Sequence, residues 1–105
     1  MKNLSPAEFV VLYRWKLKTG MEAQFIESWS QVTTLFQARG SWGSRLHKGP
    51  DGFLYGYAQW PSAAARANAF NKPMHSPCLK KMSEAIAESL PEIVLEPIAD
   101  YLVLS

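Results

Sequence analysis

The two histidines, His47 and His75, are the side chains of this sequence that exchange a proton most readily near neutral pH. His75 lies between Pro73 and Pro77, at a predicted break between two helices, where a loop can overhang a pocket. A base there would take a proton from a phenol or an activated carbon and leave an electron-rich anion for oxygen to attack. The alternative is an exposed or helix-capping loop histidine, and the sequence leaves both roles open. We take His75 as the candidate catalytic residue.

Cationic side chains on two predicted strands indicate where an anionic ligand would bind. Arg45 and His47 share one strand face, where they either hold a carboxylate or phenolate or form the polar end of a hairpin. Arg14 interrupts an otherwise apolar strand. It either anchors an anionic substrate beside its aromatic neighbours or pairs with an acid on the last strand, such as Glu96 or Asp100.

Aromatic residues make up 12% of the 105 residues, enough to line a flat pocket by stacking. At strand or helix spacing they equally form a core or a subunit interface, and we assign Trp29 to the core. The predicted substrate-binding residues are Arg14, Trp15, Arg45, His47, Tyr57 and Trp60.

Cofactor-binding patterns are missing from the sequence. Cys78 is the only cysteine, which excludes an intramolecular disulfide and a thiolate metal cluster. There is no Gly-rich phosphate loop, no pair of carboxylates and no metal-ligand spacing. We therefore expect no metal, haem or flavin, and we interpret Cys78 as a small apolar residue in a reducing cytoplasm.

Charge and hydropathy exclude two classes of partner. The net charge is +2 and is dispersed along the chain, which lacks the basic stripe that nucleic-acid binding needs. The longest apolar run is five residues, 9–13, far too short to span a membrane, and no signal peptide is recognisable. At this length we expect residues 1–105 to form one domain.

The first predicted elements are a strand and an amphipathic helix. Residues 9–17 alternate as a strand does. Thr19 and Glu22 have the spacing of a capping box, and Gly40 would end the helix that follows. The apolar stripe of this helix is Met21, Phe25, Trp29, Val32 and Phe36.

Two strands and two helices follow. Residues 42–48 and 53–60 predict strands joined by a hairpin, and Ser62 would cap a helix over residues 63–70. Ser76 and Pro77 predict a second helix, ended by Pro91, and residues 93–104 predict a last strand broken at Pro97. The buried stripe expected for that second helix is Leu79, Met82, Ile86 and Leu90.

This order of elements is β–α–β followed by β–α–α–β, which predicts an α+β ferredoxin-like fold with an antiparallel sheet and helices on one face. The first and third strands are apolar on both faces, so the face without helices should also be covered. We expect a homodimer formed through that face. The alternative is that residues 92–105 fold back over it within one chain.

Three stretches resemble the antibiotic biosynthesis monooxygenase superfamily. Residues 13–20, YRWKLKTG, resemble its first strand and turn. Residues 43–47, GSRLH, and 57–62, YAQWPS, resemble the second and third strands of its small bacterial members. The likeness extends from about residue 9 to residue 104.

The resemblance implies a dimeric α/β barrel with a pocket between sheet and helices, in which known members oxidise aromatic polyketides with molecular oxygen and no metal or flavin. A related branch degrades haem through an Asn on the first strand and a Trp and a His after the third. Here Arg14 is on the first strand, and those later positions fall near Ala69 and Leu79. Haem degradation is therefore disfavoured.

Three functions remain open on this fold, which alone cannot decide among them. The first is a cofactor-independent monooxygenase-like enzyme acting on a small aromatic or polyketide-like molecule. The second is a non-catalytic dimeric module that binds a small hydrophobic ligand. The third is an isomerase or decarboxylase. The enzymes need a polar group inside the pocket, so the orientation of His75 and Arg14 separates these functions.

Overall fold

Four strands and three helices follow one another in the predicted order in a computed structural model that describes residues 9–101. The strands form one antiparallel sheet in the order β2-β3-β1-β4, which confirms the ferredoxin-like α+β architecture. The elements are β1 (Phe9–Leu17), α1 (Glu22–Gln37), β2 (Ser44–Lys48), β3 (Leu54–Trp60), α2 (Ala63–Asn71), α3 (Pro77–Glu84) and β4 (Ile86–Leu95).

The register of β1 divides the sheet into two faces. Residues opposite each other in an antiparallel pair share a face, and neighbours along a strand alternate. Tyr13 lies opposite Gly56, and Trp15 lies opposite Leu54, on what we call the helix face. The other face is called the open face.

Two clusters of buried side chains hold the helices against the helix face. Phe25 of α1 packs on Trp15, with ring centroids 5.1 Å apart, in a cluster completed by Leu54 and Ala85. The second cluster joins β3 to α2 through Ala58, Trp60 and Ala69. Burial of these side chains is the main force that fixes the helices on this face.

The starts of α2 and α3 are capped as predicted. The hydroxyl oxygen of Ser62 accepts a hydrogen bond from the N–H of Ala65 at 3.0 Å, and Ser76 caps α3 ahead of Pro77. The capping box predicted at Thr19 and Glu22 is wrong. Helix α1 begins at Glu22 itself, so Thr19 lies too early in the chain to cap it, and the preceding residue makes no side-chain cap.

The second half of the predicted last helix is a strand. Helix α3 ends at Glu84, and both Ile86 and Leu90 lie in β4, opposite residues of β1. In the strand a register shift places Ile86 on the helix face and Leu90 on the open face, so their spacing of four, which fits one face of a helix, did not indicate the strand. Only residues 93–95 of the predicted last strand belong to β4, and residues 102–104 lie outside the described part.

A β-bulge explains how β4 tolerates a proline. Leu12 lies opposite Ile93, but Arg14 lies opposite Leu90, so Pro91 and Glu92 together face the single residue Tyr13. Bulges accommodate proline and redirect side chains. This bulge brings Glu92 to the helix face, where it contacts α2.

Strand β2 starts two residues later than predicted, at Ser44 instead of Trp42. Gly43 has a φ of +107°, a left-handed conformation that interrupts the strand ahead of Ser44 and that glycine adopts without strain.

The open face carries an apolar patch, as the two-sided strand pattern predicted. In residues 9–101 both core clusters lie on the helix face, and no helix contributes to a cluster on the open one. Residues 96–101 border a hollow at one end of the open face, beside Val10 and Tyr57. The patch consists of Leu12, Tyr55, Tyr57, Ile93 and Leu95, whereas Val10 on the same face is already buried.

No helix among residues 9–101 has the length and hydropathy needed to cross a membrane.

Candidate functional site

A cavity of about 460 Å³ lies between the helix face of the sheet and the helices. This volume is in the range of about 300–1,000 Å³ that is typical of small-molecule sites. Helix α1 contributes Trp29, Val32 and Phe36, and α3 contributes Leu79 and Met82. The sheet supplies Tyr13, Trp15, Gly56, Ala58 and Trp60.

Gly56 makes room for the aromatic lining. A Cβ atom at this position would lie 2.8 Å from Cζ3 of Trp15, closer than side chains pack. The missing side chain lets Trp15 lie across β3, where its ring stacks with Tyr13 at a centroid distance of 5.6 Å and an interplanar angle of 6°. The sheet therefore presents flat aromatic surface to the cavity.

Three further rings enclose one side of the cavity. Phe36 and Phe70 stack with centroids 4.7 Å apart. Trp60 meets each of them edge to face at 6.1 Å. These are the two preferred geometries of aromatic pairs, so the rings are held by mutual packing.

Trp60 has an unused hydrogen-bond donor. The residue is only 2% exposed, and its indole Nε1 has no hydrogen-bond partner among residues 9–101. Leaving a buried donor unsatisfied costs about 1–3 kcal/mol. Nε1 is closed off from the cavity as well, so Trp60 lines the cavity through other atoms of its ring.

A polar group borders the same cavity at Tyr13. Nη2 of Arg66, on α2, donates to the Tyr13 hydroxyl at 2.9 Å and to Oε1 of Glu92 at 2.8 Å. The guanidinium also lies 4.6 Å from the ring centroid of Phe70, a cation–π distance. The bulge in β4 and the first turns of α2 thus place an arginine and a carboxylate behind Tyr13.

The electrostatics of this group keep Tyr13 protonated. Burial raises the pKa of the Tyr13 hydroxyl above its ordinary value, and the positive charge of Arg66 only partly opposes this. Burial alone would lower the pKa of Arg66, but the hydrogen bond to Glu92 and the contact with Tyr13 raise it instead. At neutral pH the pair is therefore a neutral phenol held by a cation.

Arg39 ties the end of α1 to the segment that closes the cavity. Its guanidinium donates to three backbone oxygens, those of Ala69 at 3.0 Å, Lys72 at 2.6 Å and Pro73 at 2.8 Å. Arg39, Lys72, Pro73 and Met74 all line the cavity. One side chain thus fixes the backbone around the helix break predicted from the sequence.

Solved structures share this arrangement of sheet and helices. SnoaB from Streptomyces nogalater, named as a cofactor-independent oxygenase, is similar with a TM-score of 0.76 at 15% identity, over 91% of this chain and 98% of that one. A protein from Bordetella bronchiseptica named as an antibiotic biosynthesis monooxygenase gives 0.76 at 18% identity, over 90% and 100%. One of the same name from Caulobacter crescentus gives 0.73 at 13% identity, over 89% and 92%.

The chain has the antibiotic biosynthesis monooxygenase fold. The resemblance predicted from the sequence is thus confirmed at the level of the fold. No family model and no curated relative matches the sequence. At identities this low the likeness concerns the fold, so the site must be argued from this chain's own residues.

Two of the predicted substrate-binding residues, Trp15 and Trp60, line the cavity of this antibiotic biosynthesis monooxygenase fold. Arg14 lies on the open face, where its Nη2 donates to the Pro91 carbonyl at 3.0 Å and its buried Nε has no partner among residues 9–101. Tyr57 lies on the open face beside the hollow at its end.

The other predicted polar residues lie apart from the cavity lining. Arg45 and His47 are exposed, opposite Tyr57 and Tyr55 respectively, and so share the open face. His75 is exposed as well, although its neighbours Pro73 and Met74 line the cavity. The catalytic role of His75 stays a prediction.

Sequence reasoning missed Tyr13, Arg66 and Arg39. Tyr13 shares a face with Trp15 in the alternating pattern and could have been grouped with it. Arg66 is the one charge within the otherwise Ala-rich stretch of residues 63–70, and this isolated charge is the signal that could have indicated it. Nothing in the sequence signals the contacts of Arg39, which span about thirty residues.

Within residues 9–101, no group of three or more His, Cys, Asp or Glu side chains is arranged to hold a metal ion.

Proposed function

We propose that this protein binds a small, flat aromatic molecule in the cavity and oxidises it with molecular oxygen, as a cofactor-independent monooxygenase. Support comes from the aromatic lining, from the volume of about 460 Å³ and from the fold shared with SnoaB. Flat rings would stack on Trp15 and Tyr13, which already lie parallel to each other.

The aromatic lining of the cavity is the observation that carries this proposal. The rings of Trp15 and Tyr13 lie within 6° of parallel, and Gly56 leaves space beside Trp15, so the sheet offers a flat surface for a fused-ring molecule. The lining also includes polar side chains, among them Tyr13 and Lys72, that can bind an oxygen atom. The ligand is therefore an aromatic molecule with a carbonyl or hydroxyl oxygen.

The proposed oxidation acts on an activated methylene group. Loss of a proton gives a carbanion, which attacks oxygen and forms a C–O bond. Cleavage of the O–O bond then leaves one oxygen atom as a new carbonyl and the other in water. The CH₂ group supplies all four electrons, so CH₂ and O₂ give C=O and H₂O without an external reductant. His75, in the loop beside the cavity, is the proposed proton acceptor.

Anthrone tests the proposal, since it combines three fused rings, a carbonyl oxygen and an activated methylene. We expect one O₂ consumed for each anthraquinone formed, at a rate above autoxidation in buffer. Trp15→Phe keeps an aromatic ring but reduces the stacking surface, and should weaken anthrone binding about three- to tenfold. Trp42→Phe is the matched control, because Trp42 is exposed and absent from the described lining.

A non-catalytic binding module is the second candidate. Among the described residues that line the cavity there is no His, Asp, Glu or Cys, which leaves Lys72 and Tyr13 as the acid–base side chains of the lining. Anthrone separates the two functions. If the protein binds anthrone but consumes it only at the rate seen in buffer, the binding module is the better description.

We also propose that the protein forms a homodimer through the open face. Leu12, Tyr55 and Tyr57 are only half-buried there, and Ile93 and Leu95 of β4 are exposed on the same face. Residues 96–101 border one end of this face but are themselves exposed, so they leave the rest uncovered. A second copy would bury this patch. Light scattering that finds a monomer at micromolar concentration would exclude the dimer.

A further inference from the structure

We propose that Tyr13, held by Arg66, is the binding site for an ionised oxygen of the ligand. The substrate would then be an aromatic molecule with an acidic hydroxyl or an enolisable ketone, bound as its phenolate or enolate. This inference rests on the proposed function for the cavity itself, and it adds the residues that select the ligand.

The hydrogen bonding of Tyr13 leaves its own proton available. A phenol has one proton to donate and accepts through its oxygen. The oxygen of Tyr13 accepts from Nη2 of Arg66, and within residues 9–101 the structure gives the proton no acceptor. Because Tyr13 lines the cavity, a ligand oxygen is the natural partner for that proton.

The positive charge of Arg66 behind Tyr13 determines that the preferred ligand group is negatively charged. The side chain of Arg66 is 17% exposed and sits close to Tyr13, whereas the side chain of Glu92 is 40% exposed and therefore better screened by solvent. Arg66 is not among the lining residues. It acts through Tyr13 as a positioning residue, since a hydroxyl that accepts from a cation donates more strongly.

Tyr13 is a donor and not a base. Its raised pKa, caused mainly by burial, keeps the phenol protonated at neutral pH. A neutral donor backed by a cation favours an anion over a neutral hydroxyl at the same place. The same arrangement would stabilise the enolate that precedes attack on oxygen.

A pair of probes tests this inference. 2-Hydroxyanthraquinone changes its absorbance when its hydroxyl ionises, and anthraquinone has the same rings without that group. We expect the wild-type protein to lower the pKa of bound 2-hydroxyanthraquinone by about one unit, the low end for a nearby opposite charge. Tyr13→Phe should abolish this shift while leaving the affinity for anthraquinone within about twofold.

Two further variants change the charge in opposite directions. Arg66→Gln removes the cation and should reduce the shift, and Arg66→Lys should restore part of it. Glu92→Gln removes the opposing carboxylate and should enlarge the shift, because Glu92 raises the pKa of Tyr13 and weakens the field of Arg66. Tyr55→Phe, which changes a tyrosine on the open face, is the matched control and should leave the pKa shift of the bound probe unchanged.

The outcomes separate this inference from the proposed function. If wild type and Tyr13→Phe shift the pKa of the probe equally while anthrone is still oxidised, Tyr13 is not the oxygen site and the oxygenase proposal stands. If Arg66→Gln and Glu92→Gln change the pKa shift of the bound probe in the same direction, Arg66 has only a structural role and the inference is wrong. If neither anthraquinone compound binds, both the inference and the aromatic cavity proposal are wrong.

Discussion

The two faces of the sheet carry similar residues in different surroundings. On the helix face, Tyr13 accepts a hydrogen bond from Arg66, and the pair is enclosed by rings and balanced by Glu92. On the open face, Arg14 lies opposite Tyr55, donates to a backbone carbonyl and has a buried Nε without a partner among residues 9–101.

The difference between the faces shows that residue type does not decide the role of a side chain. Both faces offer an arginine beside a tyrosine. Among the described residues, the cavity on the helix face borders Tyr13, whereas the hollow of about 490 Å³ on the open face borders neither Arg14 nor Tyr55. The open face has an apolar surface that a second subunit would bury. We therefore propose ligand binding for the helix face and subunit contact for the open face.

The two histidines give the largest expected contrast between the faces. His75→Ala should lower turnover by about two to four orders of magnitude, the usual range for loss of a general base. His47→Ala, on the open face, should lower it far less. Stability should change by under about 0.5 kcal/mol in both variants, because both residues are exposed. Steady-state kinetics with anthrone would show the contrast, and equal turnover in the two variants would remove His75 as the base.

A charge on the open face gives the next largest effect. Leu12→Glu would place one negative charge from each subunit in the proposed dimer interface. Because these like charges repel each other, the dimer dissociation constant should rise about a hundredfold or more. Sedimentation velocity measures this. The control is Ile26→Glu, an exposed position on α1, which should leave the dimer intact. A dimer unaffected by Leu12→Glu would mean that another surface joins the subunits.

The sequence predicted the order and type of most elements because each has a local signal. Ser62 and Ser76 marked helix starts, and Phe25 and Val32 marked the buried side of α1. The exception, at Ile86, is a place where the local pattern fits both a helix and a strand. Ile86 is in a strand because it pairs with Leu17 across the sheet. A local sequence pattern does not indicate a partner so far away in the chain.

The candidate site was harder to predict than the fold. Residue type alone predicts Trp15 and Trp60 as site residues, and both line the cavity. Arg66 becomes part of the site only because a β-bulge turns Glu92 towards it and the sheet places Tyr13 beside both. Because these contacts join residues from three separate elements, no regular spacing in the sequence predicts them.

Substitutions on the helix face are expected to cost more stability than substitutions on the open face. Gly56→Ala places a Cβ 2.8 Å from the ring of Trp15, so the ring must move, at a cost of about 1–3 kcal/mol. Gln59→Ala, half-buried on the open face of the same strand, should cost under about 0.5 kcal/mol. Urea unfolding of both variants measures the free energies. Equal values would mean that the Trp15 ring is not constrained by Gly56.

The smallest expected effect concerns acid stability at the hairpin between β2 and β3. Hydrogen bonds from the Tyr55 hydroxyl and from the N–H of Phe53 hold the pKa of Asp51 below its usual range. A carboxyl with a lowered pKa in the folded state contributes stability above its unfolded pKa of about 3.9, and this contribution disappears as the pH falls through the lower, folded value.

Tyr55→Phe removes the larger of the two interactions, so the variant should be slightly less stable than wild type at pH 6, and the difference should vanish near pH 2. Thermal unfolding of both proteins between pH 2 and pH 6 measures this difference in stability. Because Asp51 is fully exposed, solvent screening keeps the effect small. A difference of the same size at pH 2 and pH 6 would mean that the Tyr55 hydroxyl contributes independently of the charge on Asp51, and its hydrogen bond to the carboxylate would then contribute nothing measurable.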